Sequence, residues 1–423
     1  MATADAEGLE DLLRAHAPRA LAALARRLGD LADAEDAVQE ALLAAAGAWP
    51  ERGVPDDPAA WLVTTAVRRH VDRVRSDTAR RAREDAVVVA DPGLPTSLAP
   101  SRDDSLALLF CCAHPALAPS AAIPLTLRAV GGLTTPGIAR LLLLTEAAVD
   151  QRIHRAKQAI REAGARFRLP TSPEWPGRLR AVLHVLYLLA TAGNAPGDAG
   201  GDLARGDAAA EAVRLLRELD RLLPDEPEVG GLLALVLLTE ARRPARTGPD
   251  GRFVPLDEQD RTRWDQELIA EGTQRVERAM RRGRVGAYQL QAAIAAVHAE
   301  SSDLAATDWA QIVGLYDVLL RVDPSPVVAL NRAVAAGEAG EPRAGLALLD
   351  ALEGEARRLG HRLPAARAHL LARLGDHAAA HEAYRSAAAA ATSVAERDLL
   401  VLRAARCRAH ISASDEMSGG VPG

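Results

Sequence analysis

Two helix starts only ten positions apart leave little choice but a tight corner between packed helices. They lie in "TTPGIARLLLLTEAAVDQRIHRAKQAIRE", from Thr134 to Glu162. Thr135 precedes Pro136 and Thr145 precedes Glu146. A hydroxyl cap ahead of a proline or an acid is how a helix begins. On a wheel of ~100° per residue, Val149, Ile153, Ala156 and Ile160 share one narrow sector, which should pack inward. Ala147, Gln151, His154, Arg155 and Gln158 lie opposite, flanked by Arg152, Lys157 and Arg161. Gln and Arg side chains edged with cations suit the major groove. There Arg matches guanine, Gln matches adenine, and cations meet phosphates. The segment Pro136–Leu142 would be the supporting member of a helix-turn-helix. An ordinary helical hairpin with an Arg-rich exposed face fits these residues as well.

The rest of the chain also reads as helix, and the fold class is all-α. Of 423 residues, 48% are hydrophobic but only 3% aromatic, with Ala and Leu dominant, which favours helices over strands. The formal net charge of −6 gives no global nucleic-acid footprint, so any basic surface must be local. Lys157 is the single lysine among 51 Lys and Arg residues. Three cysteines, two of them the adjacent Cys111 and Cys112, offer no disulfide framework and no metal spacing. "FCCAHP", with His114, reads as core. No metal or cofactor is expected. No apolar run reaches the ~18 residues of a membrane span, so the chain is expected to be soluble and cytoplasmic. It shows no Gly-rich phosphate loop and no nucleophile-base pair, and is not expected to be an enzyme.

Residues 1–85 form a first helical domain, with a stop at Gly29 and Asp33 as the cap of the next helix. Pro-rich 86–104 reads as a linker and 105–168 as a second helical domain, ended by the boundary "RLPTSPEWPG". From 175 to 410 the pattern is helical, with loops at Ala195–Gly206, Thr247–Asp257 and Glu300–Thr307. A weak repeat places Gly340 on Gly375, Ala344 on Ala379 and Leu348 on Ala383. That offset of 35 is close to the helix-pair period of ~34 in tetratricopeptide solenoids. Residues 411–423 are expected to be disordered.

Two further helices carry candidate contacts. In "AAWLVTTAVRRHVDRVRS", Val63, Val67, His70 and Val74 share a face to be buried. Trp61, Thr65, Arg68, Arg69 and Arg75, with Arg73, can grip a backbone and stack on unpaired bases. Trp61 serves equally well as a core anchor. In "DAEDAVQEALLAA", Glu35, Asp36, Gln39 and Glu40 recur at helical spacing. They make either a solvated face or a dock for a basic protein surface.

This order of parts resembles the extracytoplasmic-function sigma factors of bacterial RNA polymerase. "DAEDAVQEALLAA" is similar to their region-two core-binding helix. "AWLVTTAVRRHVDRVRS" is similar to their minus-ten helix, and Thr134–Ile160 to region four. "LLFCCAHPALAP", "LPDEPEV", "DEQDRTRWD", "YQLQAAIAAVHA" and "PSPVVALNRAVA" resemble the group with a long tetratricopeptide-like extension. Arg68 stands where members often carry Asn, and Ala113 where they commonly carry a second Cys.

The resemblance implies that Glu35, Asp36, Gln39 and Glu40 bind core RNA polymerase. It implies that Trp61, Thr65, Arg68, Arg69, Arg73 and Arg75 hold the melted minus-ten strand of promoter DNA. Thr145, Ala147, Gln151, Arg152, His154, Arg155, Lys157 and Gln158 would meet the minus-thirty-five duplex. The extension would regulate initiation in cis and could hold a small protein or ligand. A stand-alone helix-turn-helix regulator with a helical-repeat sensor is the alternative.

Overall fold

A computed structural model describes the chain except residues 1, 82–101, 143, 166, 195–201, 249–251, 392 and 419–423. Apart from one isolated antiparallel bridge, Thr247 with Phe253, the described residues form helices and turns. Two compact units emerge, Met1–Leu189 and Ala190–Gly423.

The first unit opens with α1 (Ala2–Leu28), α2 (Leu31–Arg52) and α3 (Pro58–Arg81), which pack on one another. Ala20 to Ala25 of α1 are all buried. Among them the small Ala20, Ala22, Ala23 and Ala25 let α2 and α3 approach closely through Ala34, Ala41, Leu62 and Ala66, while Leu21 and Leu24 fill the core. Gly29, at φ 71°, ends α1 in a left-handed turn that glycine adopts without steric cost. Asp30 then caps α2, accepting from the N–H groups of Ala32 at 2.7 Å and Asp33 at 3.2 Å. The expected cap, Asp33, sits in the first turn instead, because the chain resumes its helix immediately after Gly29.

Helices α4 (Arg102–Cys112), α5 (Pro119–Ala129), α6 (Thr135–Leu142) and α7 (Glu146–Glu162) follow. α4 begins inside the expected linker, because Asp104 is drawn into the core (1% exposed) and pairs with Arg26 at 2.6 Å. Cys111 and Cys112 are buried as core, and burial pushes the Cys111 thiol up to about 12.

The expected domain break before residue 175 differs from the observed one. Trp175 opens α8 (Trp175–Asn194) with its ring 5.1 Å from that of Phe110. Arg178 donates to the Phe110 carbonyl. Trp175 stays partly exposed, so its packing supplies part of the about 1.5–3 kcal/mol that fully burying a large apolar side chain is worth, and it helps hold the start of α8 to the first unit despite its turn-rich lead.

The second unit runs through α9 (Asp202–Leu222), α10 (Pro227–Glu240), α11 (Gln266–Met280), α12 (Ala287–Glu300) and α13 (Trp309–Val322). It continues through α14 (Pro326–Glu338), α15 (Pro342–Asp350), α16 (Ala356–Leu359), α17 (Arg362–Arg373), α18 (His377–Ala390) and α19 (Val394–Ser418). α10 is apolar on nearly every side and packs against α9, α11 and α12. At Gly231 α12 comes so close that a Cβ would lie 2.8 Å from the Gln289 backbone nitrogen.

The weak repeat corresponds to two helix pairs, α14–α15 and α17–α18. Gly340 and Gly375 stand in the matching turns with φ 99° and 80°. Across the unit, Arg403 of α19 holds both Asp257 carboxylate oxygens at 2.8 and 2.7 Å, and Arg406 holds Glu258 at 2.6 Å. Two expectations fail at the edges. α9 starts at Asp202, inside the expected loop, and α19 continues to Ser418, through 411–418 of the tail expected to be disordered; the rest of that tail, 419–423, lies outside the described residues. No proline or glycine interrupts the run from Val394 to Ser418, and low hydrophobicity alone does not stop a helix that is already packed.

Candidate nucleic-acid interface

The helix-turn-helix forms as its two starts require. Thr145 caps α7, its hydroxyl accepting from the Ala148 N–H at 3.2 Å. α6 is capped by Thr134, which accepts from the Gly137 N–H at 3.3 Å, and not by Thr135. With Pro136 in the first turn, Thr135 is already helical, and its hydroxyl donates to Asp150 of α7 at 2.9 Å, bracing the corner.

The wheel assigned both faces of α7 correctly. Val149, Ile153, Ala156 and Ile160 are buried, while Ala147, Gln151, His154, Arg155 and Gln158 are exposed. Thr145 is exposed, and Arg152 and Lys157 lie at intermediate depth on the flanks. Gln158 donates to Glu162 at 2.8 Å, which leaves Gln151, His154 and Arg155 as the open polar centre of the face.

On α3, Arg68 and Arg69 are exposed and Thr65 is half-buried. Trp61 packs edge-on against Trp49 with ring centroids 5.4 Å apart, so its indole braces α3 on α2. Val63 is buried, and Val67 and His70 are half-buried. Arg73 reaches back to Glu40 of α2 at 2.8 Å. The side chains of Val74 and Arg75 lie outside the described residues.

The acidic face of α2 divides. Asp36 and Gln39 are exposed, Glu40 is half-buried, and the Glu35 side chain is only 12% exposed. Arg128 of α5 donates to Glu35 at 2.9 Å, and Lys157 of α7 pairs with its other oxygen. Burial alone would push the Glu35 carboxyl up, but Lys157 and Arg128 outweigh it and hold the group below its ordinary value. Beside it, Arg161 of α7 donates to Asp30 at 2.8 Å. These contacts border an open cleft of ≈ 500 Å³ between α2 and α7, lined also by Asp150 and His154. Sequence reasoning missed Arg128 and Asp30. The available signal was a lone cation in the apolar run "AAIPLTLRAV".

Comparison with known proteins fits this geometry. The family model for Sigma-70 region 2 matches residues 12–80, spanning most of α1 to α3. That for Sigma-70 region 4 matches residues 110–160, which hold the helix-turn-helix. The two matched regions therefore define a transcription initiation factor, a class that binds core RNA polymerase and promoter DNA. A family of unknown function (DUF6596) matches residues 178–280. The chain belongs to the sigma-70 family, as an extracytoplasmic-function sigma factor with a C-terminal helical extension. It is 41% identical over 396 residues to uncharacterized protein R00370 of Rhizobium meliloti (strain 1021), covering 90% of this chain and 91% of that one. No solved structure matches. Among the described residues no helix is long and apolar enough to cross a membrane.

Proposed function

We propose that this sigma factor reads the minus-thirty-five duplex with Gln151 and Arg155, aided by His154, while Arg68 and Arg69 hold the melted minus-ten strand. Gln39, Asp36, Glu40 and Glu35 dock core polymerase, and the factor works in the cytoplasm, where that enzyme is. The carrying observation is the division of α7, with an apolar stripe buried and Gln151, His154 and Arg155 facing out from a capped helix. A stand-alone regulator would have no use for the α1–α3 half. The test is transcription by core polymerase on a genomic library with and without the full chain. Promoter-specific transcripts that appear only with the protein support the reading. Their absence, with tight sequence-specific binding by the free protein, would favour the stand-alone regulator.

We propose further that the extension controls initiation from within the same chain. Supporting this is its size, larger than the sigma part, and its covalent linkage in one chain, which keeps it at high effective concentration. Its stacked helix pairs offer the kind of surface on which repeat proteins hold another segment or a small partner. A protease site inserted within residues 195–201 and cut after folding should change promoter-specific output. Identical output before and after cutting would leave the extension a passive appendage.

A further inference from the structure

We propose that the second unit holds a phosphate-binding site anchored by Arg242, with Trp264 as its floor and Arg246, Arg261 and His298 around it. The site gives the extension a ligand of defined chemistry. Its test reads binding alone, so it stands or falls separately from the sigma-factor reading.

Arg242 follows the end of α10 and is half-buried beside Trp264, which is 3% exposed. Its guanidinium carbon lies 5.6 Å from the indole centroid, and that of Arg261 lies 5.0 Å from the same centroid. The neighbouring arginines are anchored. Arg243 pairs with Glu240, and Arg246 donates to the Thr239 carbonyl. Arg261 donates to the carbonyls of His298 at 2.7 Å and Ser301 at 2.8 Å. Arg242 differs from all three. Its Nε reaches the Gln259 side-chain oxygen only at 3.5 Å, and Gln259 is turned that way by donating to the Val254 carbonyl at 3.0 Å. Among the described residues no carboxylate pairs with Arg242, and nothing accepts from the two Nη groups of its fork. Acids close by are engaged elsewhere, Asp260 by the Thr262 N–H at 3.0 Å and Asp303 by the Ala306 N–H at 2.8 Å.

The cluster is therefore rich in donors and short of an acceptor. The Trp264 indole nitrogen and the His298 Nδ1 are also buried without a hydrogen-bond partner. Burial, with the charges of Arg246 and Arg261, pulls Arg242 down to about 10. Burial, then Arg242 and Arg261, pulls His298 down to about 4. A desolvated cation without a counter-ion is costly, and an indole face offsets only part of that cost. A phosphate group supplies what is missing. It meets the arginine fork with two oxygens and carries close to two negative charges near neutral pH. A carboxylate fits the fork but brings one charge to a cluster of three guanidinium groups.

The full-length protein is titrated by calorimetry with inorganic phosphate and with glucose 6-phosphate, against acetate at the same ionic strength. Phosphate should saturate one site per chain and bind more tightly than acetate. Arg242→Gln should weaken phosphate by about tenfold or more. Arg263→Gln, which removes an exposed charge next to Trp264, should leave the affinity unchanged. Tighter binding of the sugar phosphate would assign the site to an organic phosphate, and tighter binding of the inorganic ion to free phosphate; either supports the site. Should Arg242→Gln not fold, the intact protein still answers. Phenylglyoxal labels arginine side chains, and peptide mass spectrometry should find Arg242 protected by phosphate. No saturable phosphate binding, acetate bound as tightly, or unchanged affinity in a folded Arg242→Gln protein would overturn the proposal. So would protection confined to Arg152, Arg155 and Arg161 of α7, which would place the ion on the DNA-reading helix.

Discussion

Arg155 and Glu35 show how one side chain can be tuned for opposite fates. Arg155 is exposed on the outward face of α7, free for a bidentate base contact. Arg155→Ala should cost about 1–3 kcal/mol at one minus-thirty-five position in polymerase-bound promoter assays. A uniform loss across a promoter library would reassign it to phosphate. Glu35 is instead held below its ordinary value of 4.5, because Lys157 and Arg128 outweigh the burial that would raise it. A depressed carboxylate contributes stability above its unfolded value and loses it as pH falls through the folded value. The first unit should therefore weaken as pH falls below about 4.5, and Glu35→Gln should remove part of that acid dependence. At neutral pH the same substitution should lower stability by about 1–3 kcal/mol, because Lys157 and Arg128 lose their charged acceptor. Unfolding midpoints of both proteins across that pH range are the check; parallel curves would contradict it.

Among the helices, two positions carry sharp expectations. Thr145→Ala removes the α7 cap and should destabilise the first unit by about 1 kcal/mol, read as a lower unfolding midpoint. Gly231→Ala sets two effects against each other. Alanine in a helix gains about 0.5–1 kcal/mol over glycine. The new methyl, however, would press on the Gln289 backbone, and overpacking of this kind costs about 1–3 kcal/mol. The clash should win, and a stabilised variant would show that α10 and α12 can part freely. The division of α7 was legible because a helix has a fixed period, so burial of Val149 and exposure of Gln151 follow from spacing alone. Its caps were legible only to within a residue, since Thr134 and Thr135 are chemically identical neighbours and only the turn geometry decides between them. The link from Glu35 to Arg128 was not legible. It joins residues 93 positions apart, and no local rule distinguishes an acid that will meet a cation from one that will meet water.

At the scale of the whole chain, the same limit explains the misplaced boundaries. "RLPTSPEWPG" has every mark of a linker, yet Trp175 finds Phe110 and extends the first unit to Leu189. The turn glycines Gly340 and Gly375, by contrast, announced the helix pairs from sequence alone. The tie from Arg403 and Arg406 to Asp257 and Glu258 bears on how the second unit comes apart. An untied stack of helix pairs frays inward from its free end, each pair exchanging its amide hydrogens sooner than the one before it. Here α19 is fastened to a turn 146 positions earlier, so it should not peel away before that turn lets go. Amides in the middle of α19 should exchange on the same slow schedule as those of the 3-10 turn Leu256–Glu258. Asp257→Asn with Glu258→Gln should restore the gradient, with α19 becoming the first helix to let deuterium in.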